Sequence, residues 1–115
     1  MSIPHAKPGE IIDVRPLGAA LAHSKTETLL KTTSLEVIRI VLSAGKTIAR
    51  HKVSGEITVQ CLEGNVDLCV GEITRELTAG MLLYLEGGDE HSLHAEEDSS
   101  VLVTILLRHK TSTAK

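Results

Sequence analysis

The sequence has 115 residues and a net charge of −3 at pH 7, from 12 basic and 15 acidic residues spread along the chain. This length suits one domain that buries a core without a disulfide or a metal staple. No basic cluster or aromatic platform points to a nucleic-acid partner. No leader and no apolar run of about 18 residues points to secretion or to a membrane, so we expect a cytoplasmic protein.

Aliphatic side chains have to fill the core, because the chain has no Phe or Trp and Tyr84 is its one aromatic residue. The β-branched residues in this set favour strands. We expect Tyr84 to pack in the core with its hydroxyl satisfied at an edge. We expect Cys61 and Cys69 to be reduced thiols rather than a disulfide.

The N-terminal third, residues 1–33, is predicted to be an arm that carries one or more edge strands of the fold. Residues 11–17 have the pattern of a short first strand that Pro16 ends or leaves at an edge. Residues 18–33 fit a strand with a short helical turn around Thr28–Leu30.

The predicted core domain covers residues 34–107, and residues 108–115 form a tail. Within the core, stretches of period-2 alternation are separated by glycine-containing turns at intervals of about ten residues. One face of residues 35–42 carries Ile38, Ile40 and Leu42. In residues 51–61 the odd positions share an apolar face, which holds His51, Val53, Ile57, Val59 and Cys61.

Residues 71–72 form a two-residue loop with glycine first, which favours a type II′ hairpin. This hairpin would place Val70 opposite Ile73 and Val66 opposite Leu77 on one face. Many short strands joined by such turns predict an all-β barrel or sandwich.

Two segments, MLLYL at 81–85 and VLVTILL at 101–107, are apolar on both faces. One face of each strand packs inside the barrel, and the other needs a second sheet or a second subunit to cover it. We therefore expect a homodimer.

The spacing of glycines and histidines resembles the two sequence motifs of the cupins, a family of β-barrel proteins. The matching positions are Gly45, His51, Gly64, Gly80, Gly88 and His91. The resemblance covers about residues 35–107 and implies a small single-domain cupin of the RmlC-like superfamily. The fold that it implies is an all-β, double-stranded β-helix, or jelly-roll, barrel.

The metal-binding members that this chain resembles use three histidines and one glutamate. Here Val53 stands at the second histidine position and Ile57 at the glutamate position. Alternation sends Glu56 to the face opposite His51, and only a bulge would turn it inward. A divalent transition metal would therefore have His51 and His91 as ligands, with Glu56 as the candidate third.

We predict a ligand pocket inside the barrel, lined by His51, Val53, Ile57, Val59, Cys61, His91 and Leu93. The two imidazoles would orient a polar or anionic end of a small molecule, and the aliphatic side chains would accept its body. The hypothesis is a small-molecule-binding cupin of unassigned activity with a degraded metal site. The alternatives are a metal-dependent enzyme of dioxygenase or isomerase type that uses His51 and His91, and a non-catalytic sensor or assembly module.

Overall fold

Nine β-strands and one 3₁₀ helix make up residues 5–107, the part of the chain that the computed structural model describes. The helix covers Gly18–His23. The strands are β1 Glu27–Lys31, β2 Leu35–Leu42, β3 Thr47–His51, β4 Ile57–Glu63, β5 Asn65–Val70, β6 Ile73–Thr78, β7 Leu82–Leu85, β8 His91–Ala95 and β9 Ser99–Leu106. The predicted tail at 108–115 lies outside the described residues.

The strands form two antiparallel sheets, one of five strands in the order β1-β2-β9-β4-β7 and one of four in the order β3-β8-β5-β6. Strands that are distant in sequence become neighbours, and this is the topology of a jelly-roll β-barrel. The prediction of an all-β jelly-roll fold is confirmed. Within this part of the chain, no helix is long and apolar enough to cross a bilayer.

The core lies between the inner faces of the two sheets. Across β2, β9 and β4, Ile38 lies opposite Val103, which in turn lies opposite Val59. Because side chains alternate along a strand, the neighbouring row, which contains Arg39, lies on the outer face. The buried apolar side chains include Leu42, Ile57, Val59, Cys61, Val66, Leu68, Leu77, Leu85, Leu93, Ala95, Val101 and Val103.

The hairpin between β5 and β6 has the predicted register, with Val66 opposite Leu77 and Val70 opposite Ile73. Gly71 has a φ of +61°, and no described residue other than glycine has a positive φ. A type II′ turn requires this combination at its two central positions.

The N-terminal third differs from the prediction. Residues 11–17 form no strand, the helical turn lies at Gly18–His23, and Thr28–Leu30 belongs to β1. The strand forms where it does because β1 pairs with β2, with Glu27 opposite Arg39. That pairing is a tertiary interaction, which local patterning does not show.

The start of the 3₁₀ helix is held by a side chain from β4. The backbone N–H groups of Leu17 and Gly18 donate to the Glu63 carboxylate at 2.9 and 3.0 Å. A bulge between Cys61 and Glu63 interrupts the register with β9. Glu63 therefore lies opposite Ser100 on the outer face, although unbroken alternation would have turned it inward.

Residues 51–61 alternate without a break in the sequence, but in the structure they belong to two strands. β3 ends at His51, which pairs with β8 in the four-stranded sheet. β4 begins at Ile57, which pairs with β9 and β7 in the other sheet. Residues 52–56 carry the chain from one sheet to the other, and a crossing of this kind interrupts hydrogen bonding without interrupting the apolar pattern.

The outer face of the five-stranded sheet is only partly covered. Leu82, Tyr84 and Leu106 remain exposed there, at 61%, 54% and 45%. The expectation that Tyr84 packs in the core is therefore wrong. Its position on β7 opposite Thr58 belongs to the outer row, and its hydroxyl donates to Glu56 at 3.0 Å.

Candidate functional site

A cavity of about 120 Å³ lies between the two sheets. β2, β4 and β9 provide one wall, β3 and β8 provide the other, and the 52–56 loop closes one side with Val53. Nine aliphatic side chains and two imidazoles line it: Ile38, Ile40, Ile48, His51, Val53, Ile57, Val59, His91, Leu93, Val103 and Ile105. A mostly apolar pocket with a few convergent polar groups is the usual make-up of a small-molecule site.

The two imidazoles are brought together by strand pairing. His51 ends β3, His91 begins β8, and the two residues are direct partners in the register of these strands. Their ring centroids are 4.3 Å apart and the ring planes are inclined by 58°. His51 is exposed and His91 is 2% exposed, so the pair joins the cavity to the surface.

Backbone carbonyls determine which nitrogen of each ring carries the proton. His51 Nδ1 is 3.0 Å from the Ala49 carbonyl oxygen, and His91 Nδ1 is 3.1 Å from that of Asp89. A carbonyl oxygen only accepts hydrogen bonds, so each Nδ1 must be the donor. The neutral form of each ring then has its lone pair on Nε2, as in histidines whose Nδ1–H is held by a second group.

The buried ring resists protonation. Burial lowers the pKa of His91, and the nearby His51 adds to this, while the hydrogen bond to the Asp89 carbonyl opposes it. Taken together, these effects place the pKa of His91 below that of an ordinary histidine. His91 is therefore neutral at neutral pH, with Nε2 as a hydrogen-bond acceptor.

Six of the seven predicted pocket residues line this cavity, and Cys61 does not. The Cys61 side chain is fully buried deeper in the core, where its thiol donates to the Glu63 carbonyl at 3.5 Å. Burial raises the pKa of this thiol, so it stays protonated and behaves as a small apolar group.

Five wall residues of the cavity were not predicted from the sequence, namely Ile38, Ile40, Ile48, Val103 and Ile105. The alternation of residues 35–42 already placed Ile38 and Ile40 on one face, which was a usable signal. For the other three, the signal is absent without knowledge of which strands pair across the barrel.

Glu56 does not complete a metal site. Its exposed side chain accepts the Tyr84 hydroxyl outside the barrel, and the cavity lining contains no carboxylate. Within residues 5–107 no group of three or more His, Cys, Asp or Glu side chains is placed to hold an ion. Resident zinc or iron sites normally use about three protein ligands, so two Nε2 atoms among hydrocarbon do not fit such an ion.

Two loops form the rim of the cavity beside Val53. The Gly88 N–H donates to the Val53 carbonyl at 2.8 Å, which ties the 86–90 loop to the 52–56 loop. Gly87 lies against the Ser54 carbonyl so closely that a Cβ would clash with it. A surface groove of about 270 Å³ that includes Glu36 lies beside the cavity and shares Val53 and Ile105 with it.

Comparison with known proteins bears on the fold. A family model for the cupin domain matches residues 38–107. A conserved protein of unknown function from Streptococcus pyogenes is 20% identical with a TM-score of 0.73, over 95% of this chain and 96% of that chain. KdgF from Halomonas sp. is 17% identical with a TM-score of 0.66, over 76% and 81% of the two chains.

A variant of salicylate 1,2-dioxygenase from Pseudoaminobacter salicylatoxidans is 23% identical with a TM-score of 0.60. The match covers 67% of this chain but 22% of that enzyme. No curated protein matches the sequence. At these identities the structural likenesses establish a shared fold, and function has to be argued from the site.

Proposed function

Because the chain belongs to the cupin domain family, we propose that it binds a small molecule in the barrel cavity through His51 and His91, without a resident metal ion. The observation that carries this proposal is the lining, which combines aliphatic walls with two neighbouring imidazoles. An enclosed apolar space with convergent polar groups favours a ligand over a barrel that serves only as a scaffold.

The size and chemistry of the cavity narrow the class of ligand. A cavity of about 150 Å³ holds benzene in another protein, so a volume of about 120 Å³ that reaches the surface at His51 suits a compact ligand of about six or seven non-hydrogen atoms. In their neutral forms both imidazoles offer Nε2 as an acceptor, so the ligand has to supply an O–H or N–H donor. An anion would meet the Nε2 lone pair of the neutral His91 and hydrocarbon, so we propose a compact neutral donor such as a phenol, an alcohol or an azole.

A metal-dependent enzyme of dioxygenase or isomerase type is the second candidate. The observation in its favour is that both Nδ1–H groups are held by backbone carbonyls, as they are in metal-ligating histidines. The donor set is the observation against it, because Val53 and Ile57 occupy wall positions that would have to carry further ligands.

A titration followed by NMR tests the proposed site, with phenol as the probe and benzene and benzoate as its controls. We expect phenol to bind most tightly and to shift resonances of the cavity residues. His91→Ala should weaken phenol binding about fivefold, since one hydrogen bond to a buried group is worth about 1 kcal/mol. The control His94→Ala lies on the same strand but faces Thr47, and it should change nothing. Equal binding of phenol and benzene, or equal loss in both variants, would overturn the proposal.

Elemental analysis separates the two candidates. Protein purified without a chelating tag should contain well below one transition-metal ion per chain. A stoichiometric metal that disappears in the His51→Ala, His91→Ala double variant would instead support the metal-dependent enzyme.

A second copy of this chain is the partner that we propose for the exposed outer face of the five-stranded sheet. Leu82 and Tyr84 project from β7, an edge strand, and Leu106 lies on the same face. A two-fold dimer buries the same patch of both copies, which suits one apolar patch at the edge of a sheet.

A further inference from the structure

A buried arginine lies on the outer face of β2, opposite the face that lines the cavity. Arg39 is only 6% exposed and stands between Val37 and Val41 on a mostly apolar strand. Its row continues with Leu102 on β9 and Gln60 on β4. The N-terminal segment covers it, since Arg39 Nη2 donates to the Asp13 carbonyl at 3.0 Å.

The Arg39 guanidinium has far fewer partners than donors. It carries five N–H groups. The bond to the Asp13 carbonyl is its one hydrogen bond to the described residues, and its buried Nε has no partner among them. Arginine does not deprotonate in proteins, so the charge stays. A charge buried with so little compensation is costly, and such groups normally meet an anion.

Two carboxylates that sense the charge of Arg39, those of Asp13 and Glu63, are already hydrogen-bonded to other groups. The Asp13 carboxylate accepts the Arg15 guanidinium at 2.7 Å, which holds its pKa well below the usual range. The Glu63 carboxylate accepts Ser100, Leu17 and Gly18. Burial alone would raise the Glu63 pKa, but these hydrogen bonds and the charge of Arg39 lower it. Within the part of the chain described, neither carboxylate forms an ion pair with Arg39, and neither does Glu27, its direct partner on β1.

A cleft open to solvent lies directly over this guanidinium. Its volume is about 370 Å³, and it is lined by Asp13, Arg15, Pro16, Leu17 and Arg39. Arg15 stands at its exposed side and contributes a second guanidinium. The cleft therefore places one buried and one exposed positive charge against a single carboxylate.

We propose that this cleft is a second ligand site, which binds a small oxyanion, a carboxylate or a phosphate group, through the free N–H groups of Arg39. The planar fork of donors on a guanidinium matches two oxygens of such a group. The site lies on the outside of the barrel and is independent of the cavity between His51 and His91.

Thermal unfolding at constant ionic strength tests the site, with inorganic phosphate and acetate as separate probes against chloride. A ligand that binds the folded state raises Tm in a saturable way. We expect this rise for the wild type and for Arg75→Gln, which removes an equal charge from an exposed position on β6. Arg39→Gln should lose the rise, with an affinity at least about tenfold weaker.

The response to each probe identifies the anion, since a rise with phosphate, with acetate or with both defines which oxyanion the cleft accepts. NMR of the wild type needs no variant, because the Arg39 Nε–H resonance should shift as the anion binds. A Tm rise that is equal in all three proteins, or an Arg39 Nε–H resonance that does not move, would overturn the proposal.

Discussion

At the residue scale, the two cavity imidazoles differ in surroundings although they share a hydrogen-bonding arrangement. Each donates Nδ1–H to a carbonyl two residues earlier in the chain, so each orients itself by a local contact. His91 is enclosed by the barrel, whereas His51 is exposed. Enclosure keeps His91 neutral, and this makes its Nε2 a permanent acceptor near neutral pH.

The depressed pKa of His91 predicts how stability depends on pH. In the unfolded chain a histidine titrates near 6.5, while in the folded protein His91 holds no proton until a lower pH. Between the two values the unfolded state binds more protons, so the free energy of unfolding falls as the pH is lowered through this window. Above about pH 6.5 the neutral His91 makes its full contribution to the free energy of unfolding.

Chemical denaturation from pH 8 to pH 5 measures this dependence, compared between the wild type and His91→Asn. The wild type should lose more stability on acidification than the variant, because the other histidines are common to both proteins. An NMR titration that gave His91 a pKa above that of an ordinary histidine would contradict the prediction.

At the element scale, the 52–56 loop decides what faces the histidine pair. The loop crosses from one sheet to the other, yet Val53 still lies on the cavity side with Ile57. The tie between Gly88 and Val53, together with the close approach of Gly87, holds the loop in this position. A change of side chain at position 53 therefore changes the chemistry of the cavity directly.

Val53→His should create a transition-metal site, because a third imidazole would join His51 and His91 around the cavity. Calorimetry with Zn²⁺ should show affinity at least about tenfold above that of the wild type, since three protein ligands suffice for zinc. The control Lys52→His places its imidazole on an exposed neighbouring residue. Equal zinc affinity in the two variants would show that Val53 does not face the pair.

The one-residue turn at Gly64 connects the two sheets under steric constraint. Gly64 has a φ of +91°, and an added Cβ would overlap the Ser99 side chain and the Asp98 carbonyl. Gly80 has nearly the same φ, +92°, with open space around it. Alanine substitutions at the two glycines therefore distinguish the cost of backbone strain, which both share, from the cost of a steric clash, which only Gly64 has.

Gly80→Ala should lower the free energy of unfolding by about 1 kcal/mol, which is the cost of a left-handed alanine. Gly64→Ala adds the clash and should lose about 3 kcal/mol or more. Urea denaturation measures both variants. Similar losses for the two would mean that Ser99 and Asp98 move aside at little cost.

At the scale of the whole molecule, the outer face of the five-stranded sheet is divided into two parts. Residues 13–18 cover the part over Arg39 and Glu63, and residues 13–17 line the proposed anion cleft there. The part around β7 is left exposed and apolar. The first part is completed by the chain's own N-terminal segment, and we propose that the second is completed by another copy.

Leu82→Lys should convert the proposed dimer to a monomer, because it places a charge within the apolar patch. Sedimentation velocity across a range of concentrations measures the change. The control Ile73→Lys alters a similarly exposed residue on β6, in the four-stranded sheet, and should leave the dimer intact. A wild type that stays monomeric at every concentration would refute the dimer.

Much of the barrel was predictable from the sequence because local residue patterns indicate its strand faces and turns. The alternation in 35–42 predicted the inner face with Ile38 and Ile40, and glycine at position 71 predicted the register of the β5–β6 hairpin. A one-residue slip would expose a whole apolar face, so burial makes alternation a dependable guide. The alternation in residues 51–61 likewise predicted that Glu56 lies outside the barrel.

Features that depend on contacts between distant strands could be determined only from the tertiary structure. The pairing of β1 with β2 placed a strand where local pattern indicated a helical turn, and the bulge at Cys61 moved Glu63 to the outer face. Burial of Arg39 and the cleft above it arise because the N-terminal segment folds back across β2. Periodicity records which face a side chain takes, but the free energy that selects its neighbours comes from long-range packing.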